Sequence, residues 1–264
     1  MRRYFVVTKK HLFTGILILI GLITALLLLV PLESIAVPSS RFVPALSFGA
    51  SGRQLPIYGV ATEKKQISIT FNAAWEADDI PELLALLKEK GVTATFFLVG
   101  HWAEKNPREA KLIAEAGHEI GNHSYAHPDM TTLSAQQIEA DITKADEAIR
   151  QVTGVFPKCF RAPSGGYNDT VIATAKALNH TPIQWNIDSL DWKRPPAQEI
   201  TQRILKQASG GAIILFHTAL ENTRLALPEI IDTLSQQGYT FVHVSDLVYS
   251  GEYTIDHQGI QHRQ

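Results

Sequence analysis

Residues 66–99 read QISITFNAAWEADDIPELLALLKEKGVTATFFLV. The stretch opens on an apolar, partly β-branched run, Ile67–Phe71, and closes on another, Ala94–Val99. Between them Ile80, Leu83, Leu84 and Leu87 recur at helical spacing. Asp79 can cap that helix, Glu82 can complete a capping box, and Pro81 suits the first turn. The segment therefore reads strand–helix–strand. Two strands joined through a helix lie parallel, with the helix covering one face of the sheet.

The same alternation continues outward. Further strands are expected at Glu119–Asn122, Cys159–Arg161, Ile183–Ile187, Ala212–Phe216 and Thr240–Val244. A helix with Ile138, Ile142, Ala145 and Ile149 on one stripe opens at Ser134, with Gln137 three residues on, and closes near Gly154. Two more stripes run through Ile200, Ile204 and Leu205, and through Leu227, Ile230, Ile231 and Leu234. This pattern predicts an α/β fold, a compact (β/α) barrel of about seven strands, distorted from the TIM type. In such barrels the site lies at the C-terminal ends of the strands. Asn72, His123, Arg161, Asp188, Asp191 and His217 all fall at those ends.

With 24 basic and 26 acidic residues the net charge is -2, which argues against a nucleic-acid binder. Cys159 is the only cysteine, so an internal disulfide and a cysteine-based zinc cluster are excluded. Residues 12–30, LFTGILILIGLITALLLLV, carry no charge and follow Arg2, Arg3, Lys9 and Lys10. About 20 apolar residues cross a bilayer as a helix. The run predicts a single-pass anchor with the N-terminus cytoplasmic and the rest outside the cell membrane; secretion after signal cleavage is the alternative. The expected organisation is a cytoplasmic stub and anchor over 1–31, a stalk or lead-in over 32–65, the main domain over 66–250 and a polar tail over 251–264.

His123-Ser124-Tyr125-Ala126-His127 sets two imidazoles four residues apart, a spacing that lets both face one zinc-like ion. Taken with Thr70-Phe71-Asn72-Ala73-Ala74-Trp75, Arg161-Ala162-Pro163-Ser164-Gly165, Asp188-Ser189-Leu190-Asp191-Trp192 and Leu215-Phe216-His217, it resembles the ordered motifs of the polysaccharide deacetylases, carbohydrate esterase family 4 or the NodB-homology domain. The resemblance spans about residues 66–250. It implies metal-assisted hydrolysis of the N-acetyl amide of a cell-wall amino-sugar glycan. His123 and His127 would hold a divalent metal, zinc foremost. His217 would be the general acid, oriented by Asp191, while Arg161 would contact the base. Trp192, Pro163 and Tyr125 would line the sugar groove.

The first motif departs from the family pattern. Asn72 and Ala73 stand where the family has a base aspartate and a metal-ligating aspartate. An amide oxygen does not take up a proton near neutral pH, and a methyl group ligates nothing. Three readings stay open: a nearby carboxylate, Asp78 before Asp79, completes the metal site; His217 or Asp188 serves as base in a slow enzyme; or the fold binds glycan without turnover.

Overall fold

The computed structural model describes residues 52–264. Residues 12–30, the expected anchor, lie outside them. No helix among the described residues is long and apolar enough to cross a membrane.

The strands are β1 (Gly59–Val60), β2 (Gln66–Ala73), β3 (Thr95–Leu98), β4 (Glu119–Asn122), β5 (Cys159–Phe160), β6 (Thr181–Pro182), β7 (Ile187–Asp188), β8 (Ile213–His217), β9 (Thr240–Phe241), β10 (Tyr253–Ile255) and β11 (Ile260–Arg263). Seven parallel strands form a curled half-barrel in the order β6–β5–β4–β3–β2–β8–β7, and β9 pairs with the start of β2. The curl is consistent with the distorted barrel expected from the alternation, but the sheet stays open between β6 and β7. The long strand β2 lies at its centre, flanked by β3 and β8.

Strand alternation gives β2 two different faces. Ile67, Ile69 and Phe71 pack with Leu83, Leu87, Ile230 and Leu234 in the core between sheet and helices. Phe71 stacks on Phe96 and Phe216 at 4.9 and 5.8 Å. Thr70 and Asn72 point to the other side, where both accept hydrogen bonds from Arg161. The helices that cover the sheet are α1 (Ile80–Glu89), α2 (Gly100–Lys105), α3 (Pro107–Glu115), α4 (Ala135–Thr153), α5 (Asp169–Ala177), α6 (Ala197–Gln207) and α7 (Glu221–Gln236), with the short α8 (Val244–Leu247) after β9. Helix α4 keeps the expected ends: Ser134 and Gln137 form a capping box and Gly154 closes the helix with φ 75°.

Three expectations are revised. The single strand expected over Ile183–Ile187 does not form: residues 183–186 lie between β6 and β7, two short strands at opposite edges of the sheet. The lead-in separates them: Ile57 N donates to the Pro182 carbonyl at 2.9 Å, and Gln184 N donates to the Ile57 carbonyl at 2.7 Å. The cap expected of the Asp79 side chain on α1 is absent, as is the capping box with Glu82. Asp79 Oδ2 instead accepts from Ala219 N at 2.8 Å. Lastly, part of the expected lead-in and the expected polar tail pair as β1–β11–β10. Buried Gln261 ties this small sheet to the body through both bonds of its amide to the Tyr249 backbone.

His118 is buried with Nδ1 accepting from Ala94 N at 3.2 Å. Only the neutral ring can accept there. Burial, with His243 nearby, pushes this imidazole down to about 4, against about 6.5 for an unfolded chain. The folded state thus resists a proton that the unfolded state takes up. The contribution is complete above pH ~6.5 and drains as pH falls towards ~4, by on the order of 3 kcal/mol. Denaturation midpoints should drop across that window, less so in His118→Asn, which keeps an acceptor without the charge. A midpoint constant from pH 6.5 to 4 would contradict this.

Candidate active site

Parallel register brings the strand ends together. Asn72 lies beside His217 across β2 and β8, Leu98 beside Asn122 across β3 and β4, and Asn122 beside Phe160 across β4 and β5. The residues that follow therefore emerge at one rim. A cavity of about 750 Å³ opens there, lined among others by Asn72, His123, His127, Asp188, Trp192 and His217. Among the described residues, seven non-glycine positions have left-handed backbone, and four of them, His127, Ser164, Arg194 and Ala219, line this cavity. Strained backbone of this kind persists where surrounding contacts hold it, and it clusters at functional sites.

The histidine loop is held from beneath. Asn122 Oδ1 accepts from Ser124 N at 2.7 Å, while its Nδ2 donates to Asp146 Oδ1 at 2.8 Å and to the Ile142 carbonyl at 3.0 Å. Asp141 accepts from Tyr125 N at 2.7 Å, and Ser124 Oγ accepts from His127 N at 2.9 Å. The two rings end 5.0 Å apart. Burial, reinforced by His127, pushes His123 well below its ordinary range; burial also lowers His127. In the neutral ring of His123, Nδ1–H donates to the Arg161 carbonyl at 2.8 Å, leaving the Nε2 lone pair free.

Arg161 is fully buried under this rim. Its Nη1 donates to Thr70 Oγ1 and Asn72 Oδ1, both at 3.0 Å, and its Nη2 donates to the Gln184 carbonyl at 2.9 Å. The guanidinium sits 3.9 Å above the Phe97 ring. Gly121 makes room for that ring, since a Cβ there would stand 2.5 Å from it. Every direct acceptor of Arg161 is neutral, and burial pushes its pKa down to about 9. Arg161 does contact position 72 as expected, but the group it contacts is an amide.

Across the cavity, Asp191 is buried, with 1% of its surface exposed. Its Oδ1 faces His217 Nδ1 at 2.7 Å, and its Oδ2 accepts from His217 N and Thr223 Oγ1, each at 2.8 Å. The expected orienting pair is thus assembled, with Thr223 as a further donor that the sequence did not single out. Asp188 caps the following turn by accepting from Leu190 N at 2.8 Å.

Other expected residues are placed elsewhere. Asp78 is exposed and does not line the cavity; Glu76 on the same loop does. Tyr125 turns to Glu104 Oε2 at 2.8 Å, with Lys144 Nζ 3.7 Å over its ring. Pro163 is buried, and its neighbour Ser164 borders the cavity instead. Ala73, the last residue of β2, is buried against the core, and Ala74 borders the cavity. Two neutral imidazoles suit a divalent ion, but a zinc site normally has at least three protein donors. Among the described residues no three of His, Cys, Asp and Glu form a group that could hold a metal. The donors present therefore fall short of the zinc site expected.

A family model described as polysaccharide deacetylase matches residues 59–183. Over 193 residues the chain is 37% identical to the uncharacterized protein YlxY of Bacillus subtilis (strain 168), covering 73% of this chain and 60% of that protein. It is 35% identical over 195 residues to peptidoglycan-N-acetylmuramic acid deacetylase PdaA of the same organism, covering 72% of this chain and 74% of PdaA. Among solved structures, wild-type BA3943 of Bacillus anthracis, a CE4 family pseudoenzyme, matches with TM-score 0.71 and 36% identity, over 79% of this chain and 73% of that one. A BA3943 mutant with restored enzymatic activity matches with TM-score 0.71 and 38% identity, over 73% and 70% of the two chains.

Proposed function

This chain belongs to the polysaccharide deacetylase family, and from that premise we propose that it binds an N-acetylated cell-wall amino-sugar glycan in the strand-end cavity without turning it over. The observation that carries this reading is Asn72, an amide bonded to Arg161 where a base is needed. Without a group to take the proton from water, attack on an amide carbonyl loses about 10²–10⁴-fold in rate. The two-imidazole remnant binds zinc weakly for want of a third donor. The acid position is kept: with Nδ1 donating to Asp191, the doubly protonated ring of His217 would present Nε2–H to the amide nitrogen of a bound sugar. Kinship with a pseudoenzyme and with a peptidoglycan deacetylase supports both halves of the proposal. The apolar run over 12–30 would anchor the domain to the outer face of the cell membrane, towards the wall.

A slow hydrolase is the second reading, favoured by Glu76, a carboxylate at the same cavity. Both are tested by calorimetric binding of an acetylated chito-oligomer and of peptidoglycan fragments, together with acetate release in zinc or cobalt. Binding without release supports the first reading. Release that disappears in both Glu76→Gln and His217→Ala supports the second, and absence of binding and release overturns both.

A further inference from the structure

Trp75 has no role so far, and it is half exposed, at 50%. Trp192, half exposed at 51%, is the other indole on the surface, whereas Trp102 is buried and Trp185 is partly covered. Trp75 and Trp192 line the same cavity. Their places follow from the topology. His217 ends β8, and β8 lies between β2 and β7 in the sheet. Trp75 follows the end of β2, and Trp192 follows the end of β7. The loops that carry the two indoles therefore leave the sheet on either side of the histidine's strand, from strands two spacings, or about 10 Å, apart. The Trp75 ring lies 5.5 Å from the His217 ring, tilted by 40°. Its loop is fixed where Trp102 Nε1 donates to the Glu76 carbonyl at 3.4 Å. Trp192 carries Lys193 Nζ 4.9 Å from its ring centre.

A large aromatic held half in water beside a cavity offers an apolar face to a ligand that is itself partly polar. The C–H faces of pyranose rings fit that description. We propose that Trp75 is a specificity-determining residue. With Trp192 it would form two stacking platforms, one on each side of His217, that engage successive sugars of a glycan strand while an internal N-acetylated unit sits at the histidine. This deepens the glycan-binding reading and rests on it. The ligand class it selects is an oligosaccharide long enough to reach both indoles, not a single amino sugar.

The test compares affinities for N-acetylglucosamine and its linear pentamer in wild type, Trp75→Ala and Trp75→Phe, with melting curves for each. Trp75→Ala should weaken pentamer binding about tenfold, leave monosaccharide binding unchanged and melt with the wild type. Trp75→Phe should recover most of the affinity while removing part of the fluorescence change that the pentamer induces. Pentamer binding by Trp75→Ala at wild-type strength, or an equal loss for monomer and pentamer, would overturn the assignment and leave glycan binding standing. Wild type that binds neither sugar would overturn both.

Discussion

Asn72→Asp combined with Ala73→Asp should raise acetate release from an acetylated chito-oligomer in zinc by about 100-fold or more, and should tighten zinc binding. The first substitution places a proton acceptor beside Arg161, whose acceptors are now all neutral. A carboxylate there gives the buried guanidinium a charge-assisted bond, so Asn72→Asp alone should raise the denaturation midpoint. The second substitution acts differently. Ala73 is wholly buried among apolar neighbours, so a carboxylate there should lower the midpoint of the metal-free protein. Zinc should then restore it, because an ion bound only by the folded state stabilises that state. A folded double variant with unchanged zinc affinity would contradict the motif assignment. Recovery from Asn72→Asp with Ala74→Asp instead would move the ligand position to the neighbour that borders the cavity.

Asp191→Ala should destabilise the fold by about 3–5 kcal/mol, read from chemical denaturation. The carboxylate accepts three hydrogen bonds in a site closed to water, from His217 N, His217 Nδ1 and Thr223 Oγ1. Alanine leaves all three donors without an acceptor. In the restored double variant the same change should also abolish turnover, because the His217 ring loses the group that sets its tautomer. Stability within about 0.5 kcal/mol of wild type would mean that the pair is ornamental to the fold.

Much of this was legible along the chain because it depends on local periodicity. The strand–helix alternation from residue 66 onward needs only spacing of apolar residues, and the ends of α4 need only Ser134, Gln137 and Gly154. The co-location of Asn72, His123, Arg161, Asp191 and His217 follows from parallel strands in register. What escaped depends on distant backbone. Asp79 looks like a helix cap until Ala219 N, 140 residues on, competes for its carboxylate. Ile183–Ile187 looks like one strand until Ile57 pairs beside it. The tail reads as polar because β10 and β11 bury little besides Gln261. Asp78 and Asp79 drew attention from Glu76, although all three share one loop. The signal for Trp75 was present: a tryptophan three residues past the inward-facing Asn72, in a motif of small residues.

The wild-type rim holds two neutral imidazoles and an acid position but, among the described residues, no third metal donor. A crystal of the wild-type protein soaked in zinc, with the metal located by anomalous scattering, tests it most directly. The prediction is weak occupancy, with His123 and His127 as the protein donors and water in the remaining positions. A fully occupied ion with a chain carboxylate at about 2.0–2.2 Å would contradict it.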